Sequence, residues 1–164
     1  ALQEHRIDLG LVEGIFRLPN LKYIPFLQDE LVAIVHSKNK LINQDEITPC
    51  ALVNIPLVLR ERGSGTLDVF ERALSFHNLK LSSLNVQMYL GSTESIKLFL
   101  EHTDCMGIVS VRSVRKELLA GDFRVVEIKD MPMHREFHFV RLQGQEGGLS
   151  QVFIRFADHH GKSL

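Results

Sequence analysis

Twice in this chain a short apolar run passes through glycine and hydroxyl residues straight into a segment with helical spacing. Ile55, Leu57, Val58 and Leu59 lead through Arg60-Glu61-Arg62 to Gly63-Ser64-Gly65-Thr66, after which Leu67, Phe70, Ala73 and Leu74 recur at the helix period. Residues 85–90 lead in the same way to Gly91-Ser92-Thr93, followed by Ile96, Phe99 and Leu100. The alternation extends along the chain. Apolar runs at 7–12, 29–36, 107–111, 123–128 and 136–141 read as further strands. The run Leu31–Val35 reads as a strand buried on both faces. Residues 113–119, stopped by Gly121, and 150–160, stopped by Gly161, read as helices. Residues 16–23, 37–49 and 143–148 read as loops, with a short helix over 45–53 set against Pro49. No fixed-period repeat interrupts this order. Strands alternating with helices predict α/β layers around a mostly parallel sheet. Ligands of such sheets bind outside the carboxyl ends of the strands, which makes Glu13-Gly14, 62–66 and 91–94 candidates by position.

The chemistry of the two glycine–hydroxyl turns admits two readings. A helix start leaves N–H groups unpaired and carries partial positive charge, and glycine lets successive N–H groups converge on an anion. Ser64, Thr66, Ser92 and Thr93 could add hydroxyl donors, so two such ends facing one cleft would hold a carboxylate or sulfate. Ser and Thr are also ordinary helix N-caps, and Gly an ordinary turn residue. Both readings stay open on spacing alone. Catalytic and nucleotide motifs fail here. G-x-G-x-x-G would need glycine at Asp68, the phosphate loop lacks its lysine, and G-x-S-x-G would need glycine at Arg62 and Thr66. His134 and His138, on one strand, would stand about 13 Å apart, too far to share a metal. They and His159-His160 read as surface histidines. Glu13 ends a strand at the rim of the expected site, either reading a ligand or standing as a solvated loop charge.

The chain has 164 residues, 45% hydrophobic and 24% charged, so it can bury a core. A formal net charge of -1 argues against this chain gripping nucleic acid itself. No apolar run approaches the roughly eighteen residues of a membrane span, and ALQEHRIDLG, mixed and polar, does not read as a signal peptide. The two cysteines, Cys50 and Cys105, fit a reducing compartment and read as small buried hydrophobes, which makes a cytoplasmic location the expectation. The opening reads like the tail of a helix running into a strand, as in a fragment.

The order of motifs resembles a known family. Asp8-Leu-Gly-Leu-Val-Glu-Gly14 is followed by Asp29-Glu-Leu-Val-Ala-Ile-Val35, Leu59-Arg-Glu-Arg-Gly-Ser-Gly-Thr66, Leu90-Gly-Ser-Thr-Glu-Ser-Ile-Lys97, Gly107-Ile-Val-Ser110 and Arg135-Glu-Phe137. Over nearly the whole chain this is similar to the effector-binding domain of bacterial LysR-type transcriptional regulators. Leu67 stands where the family often has Arg, and Asp104-Cys105-Met106 replaces a commonly glycine-rich step. The resemblance implies two Rossmann-like lobes of the type 2 periplasmic-binding-protein kind. One lobe would be 37–134 and the other 1–36 with 135–164, the latter lacking an initial β-α-β-α stretch. The DNA-reading winged helix-turn-helix is likewise absent from this chain. The implied role is sensing a small effector between the lobes, with no catalysis, metal or cofactor. DNA contact would come only through the absent domain of a homodimer or tetramer, away from any membrane. Carried over, the effector-binding set is Ser64, Gly65, Thr66, Gly91, Ser92 and Thr93, with Glu13 and Ser110 behind them. A solute-binding protein of a transport system shares the lobed fold and is the alternative.

Overall fold

The computed structural model describes residues 1–13, 18–144 and 147–161. The strands are β1 (Gly10–Glu13), β2 (Leu21–His36), β3 (Glu46–Ile47), β4 (Leu57–Arg60), β5 (Val86–Leu90), β6 (Met106–Ser110), β7 (Phe123–Ile128) and β8 (His134–Leu142). The helices are α1 (Gly65–Phe76), α2 (Thr93–Glu101), α3 (Val111–Ala120) and α4 (Gly148–Gly161), with short 3-10 turns at Pro49–Asn54 and Leu81–Ser83. The chain divides into two compact units, Ala1–Asp29 with Arg135–Leu164, and Glu30–His134.

In the Glu30–His134 unit, β4 lies between β5 and β6 and is parallel to both. β6 pairs antiparallel with β2, Leu31 opposite Ser110, and the other edge of β2 pairs antiparallel with β7, Ala33 opposite Val126. β7 carries β3 in parallel. The sheet is therefore mixed rather than mostly parallel. Strands linked by helices (β4, β5, β6, β7) run one way, as crossover connections require. β2 inserts against them between β6 and β7. Hydrophobic pattern marks a strand but not its direction, so this insertion was invisible in the sequence.

Side chains sort to two faces with period two. Leu57 and Leu59 of β4, Met106 and Ile108 of β6, and Leu31 of β2 share one core with Leu67, Phe70 and Leu74 of α1. Val58, Val109 and Ile34 point the other way, into a second core with Ile96 and Leu100 of α2 and Val114 of α3. The split follows from handedness. The chain steps outward from β4 to β5 over α1, then back past β4 to β6 over α2, and right-handed crossovers in opposite directions put their helices on opposite faces. Gly107 sets how closely α2 can lie on β6: a Cβ there would stand 2.9 Å from Ile96 Cγ2 and 3.0 Å from Leu100 Cδ1.

In the Ala1–Asp29 and Arg135–Leu164 unit, β1 pairs antiparallel with β8, and β8 lies beside β2. Phe139 meets Phe26 at 4.5 Å and Phe153 of α4 at 6.1 Å between ring centroids. The residues before β1 form turns rather than a helix tail, with His5 N and Arg6 N donating to Leu2 O and Ala1 O.

Several expectations need correction. β2 begins at Leu21, inside the segment read as loop; its first half is half-exposed and carries Pro25, so it lacks the apolar run that marks the second half. The segment read as a helix over 45–53 is β3 followed by a 3-10 turn beginning at Pro49. His138 is buried at 5% exposure, not a surface histidine, while Cys50 is exposed and only Cys105 of the pair is buried. Gly14, and residues 145–146 of the glycine-rich turn, lie outside the described residues.

Candidate functional site

Because β6, β4 and β5 are neighbours and parallel, their carboxyl ends lie along one edge of the sheet. Each is followed at once by a helix. β4 ends at Arg60 and α1 starts at Gly65; β5 ends at Leu90 and α2 starts at Thr93; β6 ends at Ser110 and α3 starts at Val111. The N-caps are Ser64, Ser92 and Ser110. Seven sequence candidates, Ser64, Gly65, Thr66, Gly91, Ser92, Thr93 and Ser110, are thus gathered on this edge. The eighth, Glu13, belongs to the other unit.

The local chemistry shows how the turns are built. Gly63, with φ +86, takes the left-handed conformation that lets β4 double back into α1, so the essential glycine is one the candidate set omitted. Ser64 Oγ accepts from Leu67 N at 3.3 Å. Ser92 Oγ accepts from Ser95 N at 3.1 Å and lies 2.8 Å from Ser95 Oγ. Both serines therefore cap, as the ordinary reading requires. Thr93 differs: no protein group among the described residues takes its hydroxyl. Gly91 differs as well. Its φ is not positive, and a Cβ built on it meets nothing within 4 Å. Neither backbone strain nor packing among the described residues accounts for glycine there.

Two sets of charges near the edge are paired. Arg60 donates to both oxygens of its neighbour Glu61, Nε to Oε2 at 2.8 Å and Nη2 to Oε1 at 2.9 Å. These hydrogen bonds hold the Glu61 carboxyl below and the Arg60 guanidinium above their ordinary ranges. Behind the edge, Lys97 joins α2 to α3. Burial works against its charge, but hydrogen bonds to Glu117 and Glu94 outweigh burial and raise its pKa. The same ammonium lowers the pKa of Glu117. Since Glu117 is depressed below its unfolded value of 4.5, its contribution to stability is present above that pH and is lost as pH falls through the folded value. Acid titration of unfolding should therefore show a loss of stability below about pH 4.5 that is reduced in Glu117→Gln.

A hollow of about 460 Å³ lies beside the first turn, lined by Arg62, Gly63, Leu67, Asp68, Lys80 and Tyr89 among others. In the other unit, Glu13 bonds Arg135 Nη1 at 3.2 Å, while Arg135 Nε and Nη2 reach Asp29 Oδ2 at 2.8 and 2.7 Å. Glu13 Oε1 is buried with no hydrogen-bond partner among the described residues. No group of three or more His, Cys, Asp or Glu able to hold a metal occurs among the described residues. His138 Nε2 lies 3.9 Å from Glu136 Oε2. Sequence reasoning missed Lys97, although Glu94 three residues before it was a legible signal. It also missed Asn39, whose Oδ1 accepts from Leu41 N and Ile42 N at 3.0 and 2.9 Å and shapes the loop after β2.

No helix among the described residues is long and apolar enough to cross a membrane. The uncharacterized HTH-type transcriptional regulator YeiE of Escherichia coli K12 is 30% identical over 160 residues, 97% of this chain and 52% of that protein. The HTH-type transcriptional activator CmpR of Synechocystis is 28% identical over 140 residues, 85% of this chain and 45% of that protein. The chain thus spans about half the length of these curated relatives. Among solved structures, the CcmR regulatory domain of Synechocystis PCC6803 in complex with 2-PG superposes with TM-score 0.80 at 24% identity, covering 99% of this chain and 77% of that one. The effector binding domain of QuiR in complex with shikimate superposes at 0.75 with 18% identity, covering 99% and 75%. These likenesses establish the fold as that of LysR regulatory domains, the type 2 periplasmic-binding-protein kind. Residues 1–162 match the LysR substrate binding domain, and the chain belongs to that family.

Proposed function

We propose that this chain is the effector-sensing part of a cytoplasmic LysR-type transcriptional regulator. Its ligand is a small organic anion received at the edge formed by Ser64–Thr66, Gly91–Thr93 and Ser110. Binding there alters how the full-length protein engages DNA through a separate domain. The observation that carries the site is Gly91, a glycine at a helix start that neither backbone strain nor neighbouring atoms explain. A backbone left bare at such a point suits close approach by a ligand. Relatives named as transcriptional regulators, and regulatory domains of the same fold in complex with 2-PG and shikimate, support the sensing role.

Gly91→Ala separates ligand binding from folding. The added methyl meets open space, so stability should be unchanged or raised by up to about 1 kcal/mol. An effector found by thermal-shift screening of small carboxylates should bind at least about tenfold more weakly. Equal affinity would remove Gly91 from the site. The double change of Thr66 and Ser92 to Ala should also weaken binding, but it loses the Ser92 cap, worth about 1 kcal/mol, and is the less clean test.

The proposed assembly is a homodimer or tetramer. β5 stands last in the strand order, with Met88 and Tyr89 exposed on it and Phe76 exposed at the end of α1. Light scattering should return at least twice the chain mass of 18.7 kDa; a monomer mass at every concentration would contradict this.

A further inference from the structure

Lys97 is the only lysine buried among the described residues, at 7% exposure. Its Nζ donates to Glu94 Oε1 at 2.8 Å on α2, and to Glu117 Oε1 at 2.6 Å and the Ser113 carbonyl at 3.3 Å on α3. Glu94 and Ser113 lie in the first turns of their helices, immediately behind Ser92–Thr93 and Ser110. The two helices also share an apolar core, through Ile96, Leu100 and Val114. Apolar contact is non-directional and permits sliding along a helix axis. A buried ammonium does not, because it is strongly disfavoured wherever its acceptors fall out of reach. Closeness of α2 to the sheet is fixed separately, at Gly107. Lys97 is therefore not needed to hold α2 down, and what it adds is the register of α2 against α3.

We infer that Lys97 is a positioning residue for the ligand edge: by joining α2 and α3 within their first two turns it sets the spacing between Ser92–Thr93 and Ser110. The inference rests on the reading that these helix starts receive an anion. N–H groups that converge on one anion lose it when displaced by a fraction of an ångström to an ångström.

Inorganic sulfate is the probe, titrated into the isotopically labelled protein and followed at the backbone amides of 64–66, 91–95 and 110–113. Lys97→Met should weaken sulfate binding at least tenfold and rotate or translate α2 relative to α3 in residual dipolar couplings. Glu117→Gln keeps an acceptor at Oε1 and should retain both the helix orientation and affinity to within about threefold, which guards against a Lys97→Met protein too unstable to measure. Unchanged sulfate affinity in folded Lys97→Met would overturn the positioning role while leaving the ligand edge intact. Weaker binding with unaltered helix orientation would overturn it too, by showing a charge effect. Sulfate that shifts none of these amides in the parent protein would overturn the ligand edge itself, and the inference with it.

Discussion

Arg135→Ala is expected to destabilise the protein by about 3 kcal/mol, with the loss concentrated in the Ala1–Asp29 and Arg135–Leu164 unit. Arg135 stands on β8 between Glu13 of β1 and Asp29 of β2, so one guanidinium ties three strands together. Asp29 is 6% exposed, and its carboxylate sits 2.7 Å from Arg135 Nη2. Removing the cation takes the Arg135 charge away from a buried carboxylate, which costs more than the pair gained in forming. The guanidinium also lies 4.9 Å from the centroid of the Phe137 ring, a contact that Ala forfeits. Chemical denaturation should show the lower midpoint. Hydrogen exchange should quicken first in β1 and β8, whose registered pairs run from Gly10 with Val140 to Glu13 with Phe137. Exchange that quickens instead in α1 and β4 would contradict the assignment.

Gly107→Val is the second large effect, at about 3 kcal/mol of lost stability, the upper end for overpacking. The first carbon alone would approach Ile96 and Leu100 to 2.9 and 3.0 Å, with Val58 Cγ1 at 3.7 Å on a third side. Ile96, Leu100 and Val58 are all fully buried, so none can swing into solvent. α2 must lift from β6, carrying Ser92 and Thr93 with it. Gly107→Ala should cost less, since the tips of Ile96 and Leu100 can give by a few tenths of an ångström. Thermal melts of the pair should rank parent above Ala above Val, and near-equal melting of Val and parent would show that α2 is not seated as described.

What could be read in advance divides by the kind of physics involved. Strands β4, β6 and β7 and helices α1 to α3 were legible because each buries one stripe or one run, and burial leaves a period in the sequence; β5 and α4 were legible from apolar residues that the fold leaves largely exposed. The first half of β2 was not, since it is half-exposed and broken by Pro25. Strand direction was not either: β2 runs against its neighbours for topological reasons that no local pattern encodes. The glycine–hydroxyl turns announced helix starts at the carboxyl ends of β4 and β5, yet caps and ligand contacts use the same residues, so spacing could not separate them. The structure gives Ser64 and Ser92 capping bonds, and a Cβ at Gly91 would meet nothing within 4 Å. Burial of Lys97 and Arg135 was not legible, because burial of a cation depends on carboxylates distant in sequence, Glu117 for one and Asp29 for the other.

The central claim is that a small anionic effector is held by the helix starts that follow β4, β5 and β6. Its most direct test is a hydrogen-exchange footprint of the protein with and without a carboxylate effector drawn from the thermal-shift screen. Slowed exchange confined to 64–68, 92–96 and 110–114 is the expected result. Slowed exchange around Lys80 and Tyr89, with those helix starts unchanged, would place the ligand in the neighbouring hollow and contradict the account.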